Sequence, residues 1–130
     1  MEKYSMNGVS LLKNEKAIFP MMGEFHFSRC PEKEWEDEIR KMKACGMDII
    51  ATYVFWIHHE EEEGVFDFSG QRNLHRFLEL CEKWQMHVWL RIGLWAHGEA
   101  RNGGFPDWLL KKGYKLRSDD LDYLALVERF

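Results

Sequence analysis

The chain has 130 residues, enough for one domain with a useful buried core. Its formal net charge of -4, with no run of Lys or Arg, argues against a nucleic-acid partner. No apolar run approaches the roughly 18 residues of a membrane-spanning helix, so we expect no membrane partner. Residues 1–22 lack the apolar segment of a secretory signal, which leaves the compartment open.

The N-terminal quarter predicts a small hairpin followed by a core strand. Asn7-Gly8 is a turn signal between weakly alternating segments, which indicates a hairpin over residues 4–16. Residues 21–26 are then predicted to form the first core strand. In a regular strand Glu24 and His26, at its end, lie on the same side of the pleat.

A helix and a buried strand come next. Trp35, Ile39 and Met42 recur at helical spacing, which predicts a helix from Pro31 to about Cys45 with these side chains on its buried face.

The near-continuous apolar run at 48–54 is typical of a strand covered on both faces. Tyr53, Trp56, His58 and His59 lie at its end and just after it.

An acidic segment precedes the second predicted helix. The run Glu60 to Glu63 is interpreted as a solvated turn. Apolar residues at i, i+3, i+4 and i+7 spacing then predict a helix over 74–84. A strand over 87–91 follows it.

The segment 91–106 is the most unusual stretch of the chain. It carries four glycines, a His, a Trp and three charges between the strand and a short helix at 107–112. Glycine permits close approach of a ligand to the backbone, so the loop with Trp95 and Glu99 suggests a pocket wall. The alternative is a connecting loop in which Trp95 packs down and Glu99 is solvated.

A last helix is predicted from the cap Ser118 to the end of the chain, with Leu121, Leu124 and Val127 as its apolar face. Strands that alternate with helices indicate a parallel sheet with right-handed crossovers. Two architectures remain, an open doubly wound sheet and part of a (β/α)8 barrel. No GxGxxG follows the first strand, so a dinucleotide cofactor has no support.

In a barrel, the active site lies at the C-terminal ends of the strands. Glu24, His26, Tyr53, Trp56 and the loop 93–106 would meet there. A complete barrel needs about 250 residues, and this chain reaches about its third unit.

Several segments resemble the β-galactosidases of glycoside hydrolase family 35 in the same order and spacing. The resemblance extends from about residue 15 to residue 130. The segments that carry it are Gly23–Arg29, Trp35 with Arg40–Gly46, Thr52–Trp56, Gly64–Gly70 and Gly98–Leu109. It implies that residues 1–130 are the N-terminal fragment of a TIM (β/α)8 catalytic domain, containing about three β/α units.

The resemblance also implies an activity, the removal of terminal β-galactosyl residues with retention of configuration. Tyr53, Gly98 and Glu99 match residues that contact the galactose, Gly98 through its backbone and Glu99 through its carboxylate. The acid/base and nucleophile glutamates belong to the fourth and seventh strands and are expected beyond Phe130, so the chain alone is expected to be inactive. No metal and no cofactor are implied. Further residues expected at the pocket wall are Glu24, His26, Trp56, Trp95 and His97.

The chain departs from the common family pattern at Phe55, Ile57, Leu94-Trp95, His97 and Ala100. These positions surround the expected pocket, so the aglycone and a strict preference for galactose stay open.

Two other functions stay open as well. One is a metal-dependent hydrolase, although no HxH or HExxH spacing is present. Its ligands would be His26, His58, His59 and His97 with Glu24 or Glu99. The other is a stand-alone carbohydrate-binding or interaction module.

A partial barrel would also have an unpaired strand edge, from which we expect either self-association or poor stability.

Overall fold

The computed structural model describes residues 2–130. The strands are β1 (Tyr4–Met6), β2 (Leu11–Lys13), β3 (Lys16–Ile18), β4 (Met22–Glu24), β5 (Ile49–Phe55) and β6 (His87–Gly93). The α-helices are α1 (Trp35–Ala44), α2 (Trp56–His59), α3 (Leu74–Lys83), α4 (Asp107–Lys111) and α5 (Leu121–Arg129). Within this part of the chain, none of the helices has the length and apolarity needed to cross a membrane.

A three-stranded parallel sheet organises the fold, and the predicted alternation of strands and helices is confirmed. Its strand order is β4-β5-β6. The register pairs Glu24 with Ala51, and Tyr53 with Arg91. Paired residues of parallel strands project from the same face, so these side chains share one face of the sheet. The chain is therefore an α/β protein with a parallel sheet.

The other face of the sheet carries the main core. Helices α1 and α3 pack there, with Trp35 and Ile39 of α1 fully buried and Met42 packed against them, as their spacing predicts. Trp35 Nε1 donates hydrogen bonds to the carbonyl oxygens of Phe27 (3.0 Å) and Cys30 (2.9 Å). These two bonds satisfy the indole N–H and hold the segment after β4 against the helix.

The N-terminal segment is larger than the predicted hairpin. It is an antiparallel meander of β1, β2 and β3, because residues 16–18 add a third strand. The first core strand is shorter than the predicted 21–26. It ends at Glu24, and a 3-10 turn at Phe27–Arg29 places Phe27 in the core.

The last helix differs from the prediction in its cap and its buried face. Asp120 is the cap, and its carboxylate accepts a hydrogen bond from the backbone N–H of Tyr123 at 3.1 Å. Ser118 instead donates its hydroxyl to the carbonyl of Lys115. Leu121 is 81% exposed while Tyr123 is buried. The reason is that α5 packs on the α2 and α4 segments and not on the sheet.

Candidate functional site

Tyr53 lies near the C-terminal end of β5 and is the centre of the candidate site. Its side chain is largely buried, and the guanidinium carbon of Arg91 lies 3.9 Å from the centre of its ring. The ring of His26 is 5.3 Å away, centre to centre. Arg91 also forms an ion pair with Glu24. Side chains from three neighbouring strands therefore meet around one aromatic ring.

Glu24 and His26 are held together beside this ring. His26 Nε2 lies 3.1 Å from Glu24 Oε1, although β4 ends between the two residues. Burial lowers the pKa of His26 below its ordinary value, while the Glu24 carboxylate acts in the opposite direction and Arg29 and Arg91 lower it further. His26 is therefore a neutral imidazole near pH 7.

The glycine-rich loop approaches the same ring through Gly98. A Cβ atom added at Gly98 would lie 3.1 Å from the Phe55 ring and 3.3 Å from the Tyr53 ring. A side chain here would be in tighter than ordinary contact with both rings, so glycine favours this close approach of the backbone. The next residue, Glu99, has a left-handed φ of 56° and an exposed side chain. Among residues 2–130, no side chain forms a hydrogen bond or an ion pair with the Glu99 carboxylate, which is exposed to solvent.

Trp95 and His97 lie on the outer part of this loop. Trp95 is 38% exposed, and its ring packs so tightly on Gly103 that a Cβ there would lie 2.1 Å from a ring atom. The guanidinium of Arg117 lies 4.9 Å from the ring centre. His97 is exposed and meets Trp95 edge to face at 6.1 Å. Both residues are accessible at the loop surface.

Trp56 is not on the wall of an open pocket. It is fully buried among Phe105, Leu109 and Tyr123, and it stacks on Phe130 at 5.0 Å. Trp56 follows β5 directly as the first residue of α2, and its side chain lies in a second core.

Glu60 is not part of a solvated turn. The acidic run was interpreted as a solvated turn, yet the Glu60 side chain is fully buried. Its carboxylate accepts hydrogen bonds from Trp56 Nε1 (2.6 Å) and the Gly64 backbone N–H (2.6 Å), and it forms an ion pair with Arg129. Glu60 thus has a structural role in joining α5 to the segment after β5.

The histidines considered as metal ligands do not converge. His58 Nδ1 forms a hydrogen bond with the Ser28 hydroxyl (2.9 Å), and His59 stacks on Phe68 and bonds the Asp67 carbonyl. Residues 2–130 contain no group of three or more His, Cys, Asp or Glu side chains placed to hold a metal ion.

Arg91 is the site residue that the sequence-based selection missed. Its position opposite Tyr53 follows only from the strand register, which residue types alone do not reveal.

Arg91 and Glu24 line a cleft of about 210 Å³ on this face of the sheet, together with Met22 and the exposed Trp89. A larger cleft, about 810 Å³, lies at the opposite ends of the strands around Asp48 and His87.

Comparison with known proteins assigns the family. The sequence profile described as "Glycosyl hydrolases family 35" matches residues 10–130. The chain belongs to glycosyl hydrolase family 35. The family 35 chain is 39% identical over 128 residues to a β-galactosidase of Canis lupus familiaris, covering 98% of this chain and 19% of the relative.

Two further relatives are an exo-β-D-glucosaminidase and a second β-galactosidase. An exo-β-D-glucosaminidase of Pyrococcus horikoshii is 47% identical over 101 residues, 75% of this chain and 13% of that protein. A β-galactosidase of Xanthomonas manihotis is 34% identical over 128 residues, 98% of this chain and 21% of the relative. The family 35 chain therefore spans about a fifth or less of the length of these relatives.

The fold also has a counterpart among solved structures. The crystal structure of a β-galactosidase from the psychrophilic Marinomonas ef1 matches with a TM-score of 0.61 and 16% sequence identity. The match covers 72% of the family 35 chain and 13% of that structure's chain. At this identity the likeness concerns the fold alone.

Proposed function

We propose that this chain is the N-terminal part, about three β/α units, of the (β/α)8 catalytic barrel of a β-galactosidase-type glycosidase that acts on terminal β-galactosyl residues with retention. The observation that carries the proposal is the close approach of the Gly98 backbone to the Tyr53 ring, with the exposed Glu99 as the next residue of the same loop. These residues lie at the C-terminal ends of parallel strands, where barrel enzymes bind their substrates.

The proposed role of this part of the enzyme is to bind the sugar. A carboxylate such as Glu99 can accept hydrogen bonds from two sugar hydroxyls, and each such bond contributes about 1.5–3 kcal/mol. His26 Nδ1 and Arg91 Nε are buried polar atoms without a partner in residues 2–130. Because buried polar atoms normally have partners, these two offer further hydrogen bonds to a hydroxyl-rich ligand or its water.

Bond cleavage is assigned to residues outside this chain. A retaining glycosidase needs two carboxyl groups about 5–5.5 Å apart, one as proton donor and one as nucleophile. By family resemblance those glutamates belong to the fourth and seventh barrel strands. We therefore expect the 130-residue chain to bind sugar weakly and to leave glycosides uncleaved.

A terminal β-D-glucosaminyl residue is the second candidate substrate. The 47% identity to a protein named exo-β-D-glucosaminidase favours it. So does the exposed Glu99 carboxylate, because it would attract an ammonium group on the sugar. His97 and Trp95, at positions that depart from the common β-galactosidase pattern, lie on the same loop.

One experiment tests the proposal. Chromogenic β-galactoside and β-glucosaminide are offered to the 130-residue chain and to Glu99→Gln, and binding of galactose and glucosamine is measured by calorimetry. We expect no turnover by either protein and at least about a tenfold loss of affinity in Glu99→Gln. Glu128→Gln, an exposed site on α5, is the matched control and should bind like the parent.

Two results would contradict the proposal. Turnover that disappears in Glu99→Gln would make Glu99 itself catalytic. Sugar binding that is equally strong in Glu99→Gln and in Glu128→Gln would move the site away from the loop. The ratio of glucosamine to galactose affinity decides between the two substrates.

A further inference from the structure

We propose that Arg91 is a positioning residue for Tyr53, and that Glu24 holds Arg91 in place for this task. The guanidinium would fix the Tyr53 ring in the orientation in which it meets the sugar. This inference rests on the proposed function, because Tyr53 is one of its sugar-binding residues.

The strand register makes the arrangement possible. Arg91 is paired with Tyr53 on the neighbouring strand, so both side chains rise from the same face side by side. Glu24 is one strand further away, paired with Ala51. Because Ala51 has only a methyl group on this face, the side chains of Glu24 and Arg91 can meet across β5.

The guanidinium is in stacking range of the ring. Its carbon lies 3.9 Å from the ring centre, well inside the distance of about 6 Å at which a cation and an aromatic face attract each other. A guanidinium is planar and can stack and bind a carboxylate at the same time, whereas an ammonium is a point charge. Arg91 is therefore suited to both contacts in a way that Lys is not.

The alternative is that Arg91 only ties β4 to β6. A cross-strand ion pair with Glu24 would do that with Lys as well as with Arg. Arg91→Lys keeps the charge and the pairing but loses the planar face, so it separates the two roles. Arg91→Met removes both.

A matched control exists on the far side of the fold. The guanidinium carbon of Arg40 lies 5.3 Å from the Trp84 ring centre, and Arg40 pairs with Asp37 at 3.9 Å. Arg40→Met thus removes the same kind of side chain, with the same kinds of partners, away from Tyr53. The effects of the Arg91 substitutions on the Tyr53 ring signals and on sugar affinity are compared with those of Arg40→Met.

The first measurement is the NMR spectrum of the 130-residue chain with labelled tyrosine rings, with Tyr53 assigned from Tyr53→Phe. We expect Arg91→Lys and Arg91→Met to shift the Tyr53 ring signals and to leave those of Tyr4, Tyr114 and Tyr123 unchanged. Arg40→Met should leave all of them in place. Unchanged Tyr53 signals in a folded Arg91→Lys protein would overturn the proposal.

The second measurement is the affinity for galactose and glucosamine by NMR titration. We expect Arg91→Lys to bind about threefold to thirtyfold more weakly than the parent, while its thermal melting stays close to that of the parent. Parental affinity in Arg91→Lys would overturn the proposal. Absence of any sugar binding in the parent would instead contradict the proposed function, and the ring signals would still decide whether Arg91 orients Tyr53.

Discussion

The carboxylate of Glu60 is fully buried and forms an ion pair with the guanidinium of Arg129, 69 residues further along the chain. The same carboxylate accepts hydrogen bonds from Trp56 and from the backbone of Gly64. Three parts of the chain therefore converge on one buried acid: the start of α2, the turn that follows it and the last helix.

Replacement of Glu60 by Gln should destabilise the chain. The amide cannot neutralise Arg129, and its single carbonyl oxygen cannot replace both carboxylate oxygens. Loss of one partner of a buried ion pair is strongly destabilising, and because Arg129 is about one-third exposed we expect a decrease of about 2–3 kcal/mol in the free energy of unfolding. Urea unfolding measures it, with Glu128→Gln as the exposed control. Equal stability of the two variants would show that the pair contributes nothing.

Replacement of Gly98 by Ala should disturb the candidate site directly. The new methyl group would lie 3.1–3.3 Å from the rings of Phe55 and Tyr53, tighter than an ordinary van der Waals contact, so these rings would have to move by a few tenths of an ångström. Overpacking of this kind costs about 1–3 kcal/mol of stability and should shift the Tyr53 ring signals in the NMR spectrum.

Gly113→Ala is the control for Gly98→Ala. Gly113 has open space around it but a φ of +73°, so Ala there is strained without touching the site. We expect Gly113→Ala to lower stability and leave the Tyr53 signals unchanged. Parental stability and parental Tyr53 signals in Gly98→Ala would mean that the loop does not rest on Tyr53 in solution.

The strand–helix alternation and the parallel sheet were predictable because they depend on local periodicity. Trp35 and Ile39 face the core at the spacing their helix dictates. The features that were missed depend on partners remote in sequence. In the sequence, Glu60 cannot be distinguished from the acidic residues beside it, because its ion-pair partner Arg129 is remote in the chain. The buried face of α5 likewise depends on the segments against which this helix packs.

In the candidate site, too, the features that local sequence determines were predicted, and those that depend on remote partners were not. The loop with Gly98 and Glu99 was identifiable from its glycines and from family resemblance, and their role in sugar binding stays a prediction. Arg91 begins the segment 91–106 but could not be assigned to the site from the sequence. Its contacts with Tyr53 and Glu24 depend on the register of three strands.

Stability should decrease as the solution becomes acidic. Burial lowers the pKa values of His26, His58 and His59 below the value of about 6.5 that an unfolded histidine has. Between that value and the lower folded-state pKa values, the unfolded chain binds more protons than the folded one. The free energy of unfolding should therefore fall as the pH drops from about 7 through 6.5 and below.

His59→Phe tests this pH dependence. Phe keeps an aromatic ring in the place where His59 stacks on Phe68 at 4.7 Å, but it cannot be protonated. Urea unfolding at a series of pH values should show a smaller acid-induced loss in His59→Phe than in the parent. His75→Phe, at an exposed position on α3, is the control and should follow the parent. An equal loss in all three proteins would assign the acid sensitivity to other groups.

The edge of β6 should make the isolated chain self-associate or leave it poorly stable. Within residues 2–130, β6 pairs only with β5. Trp89 is 58% exposed and Ile92 62% exposed, one on each face of this edge strand. An unpaired edge with apolar side chains favours pairing with another chain. In analytical ultracentrifugation we expect species larger than a monomer, or in thermal melting a broad transition at low temperature.

A charge placed on the edge separates edge pairing from other association. Trp89→Lys introduces a charge that edge pairing would have to bury, so it should shift the chain toward monomer without lowering its melting temperature. Leu121→Lys introduces the same charge at a position that is 81% exposed on α5, and it should associate like the parent. A parent that is strictly monomeric and melts cooperatively would contradict the prediction. Equal effects of the two substitutions would assign the association to net charge and not to a contact that involves β6.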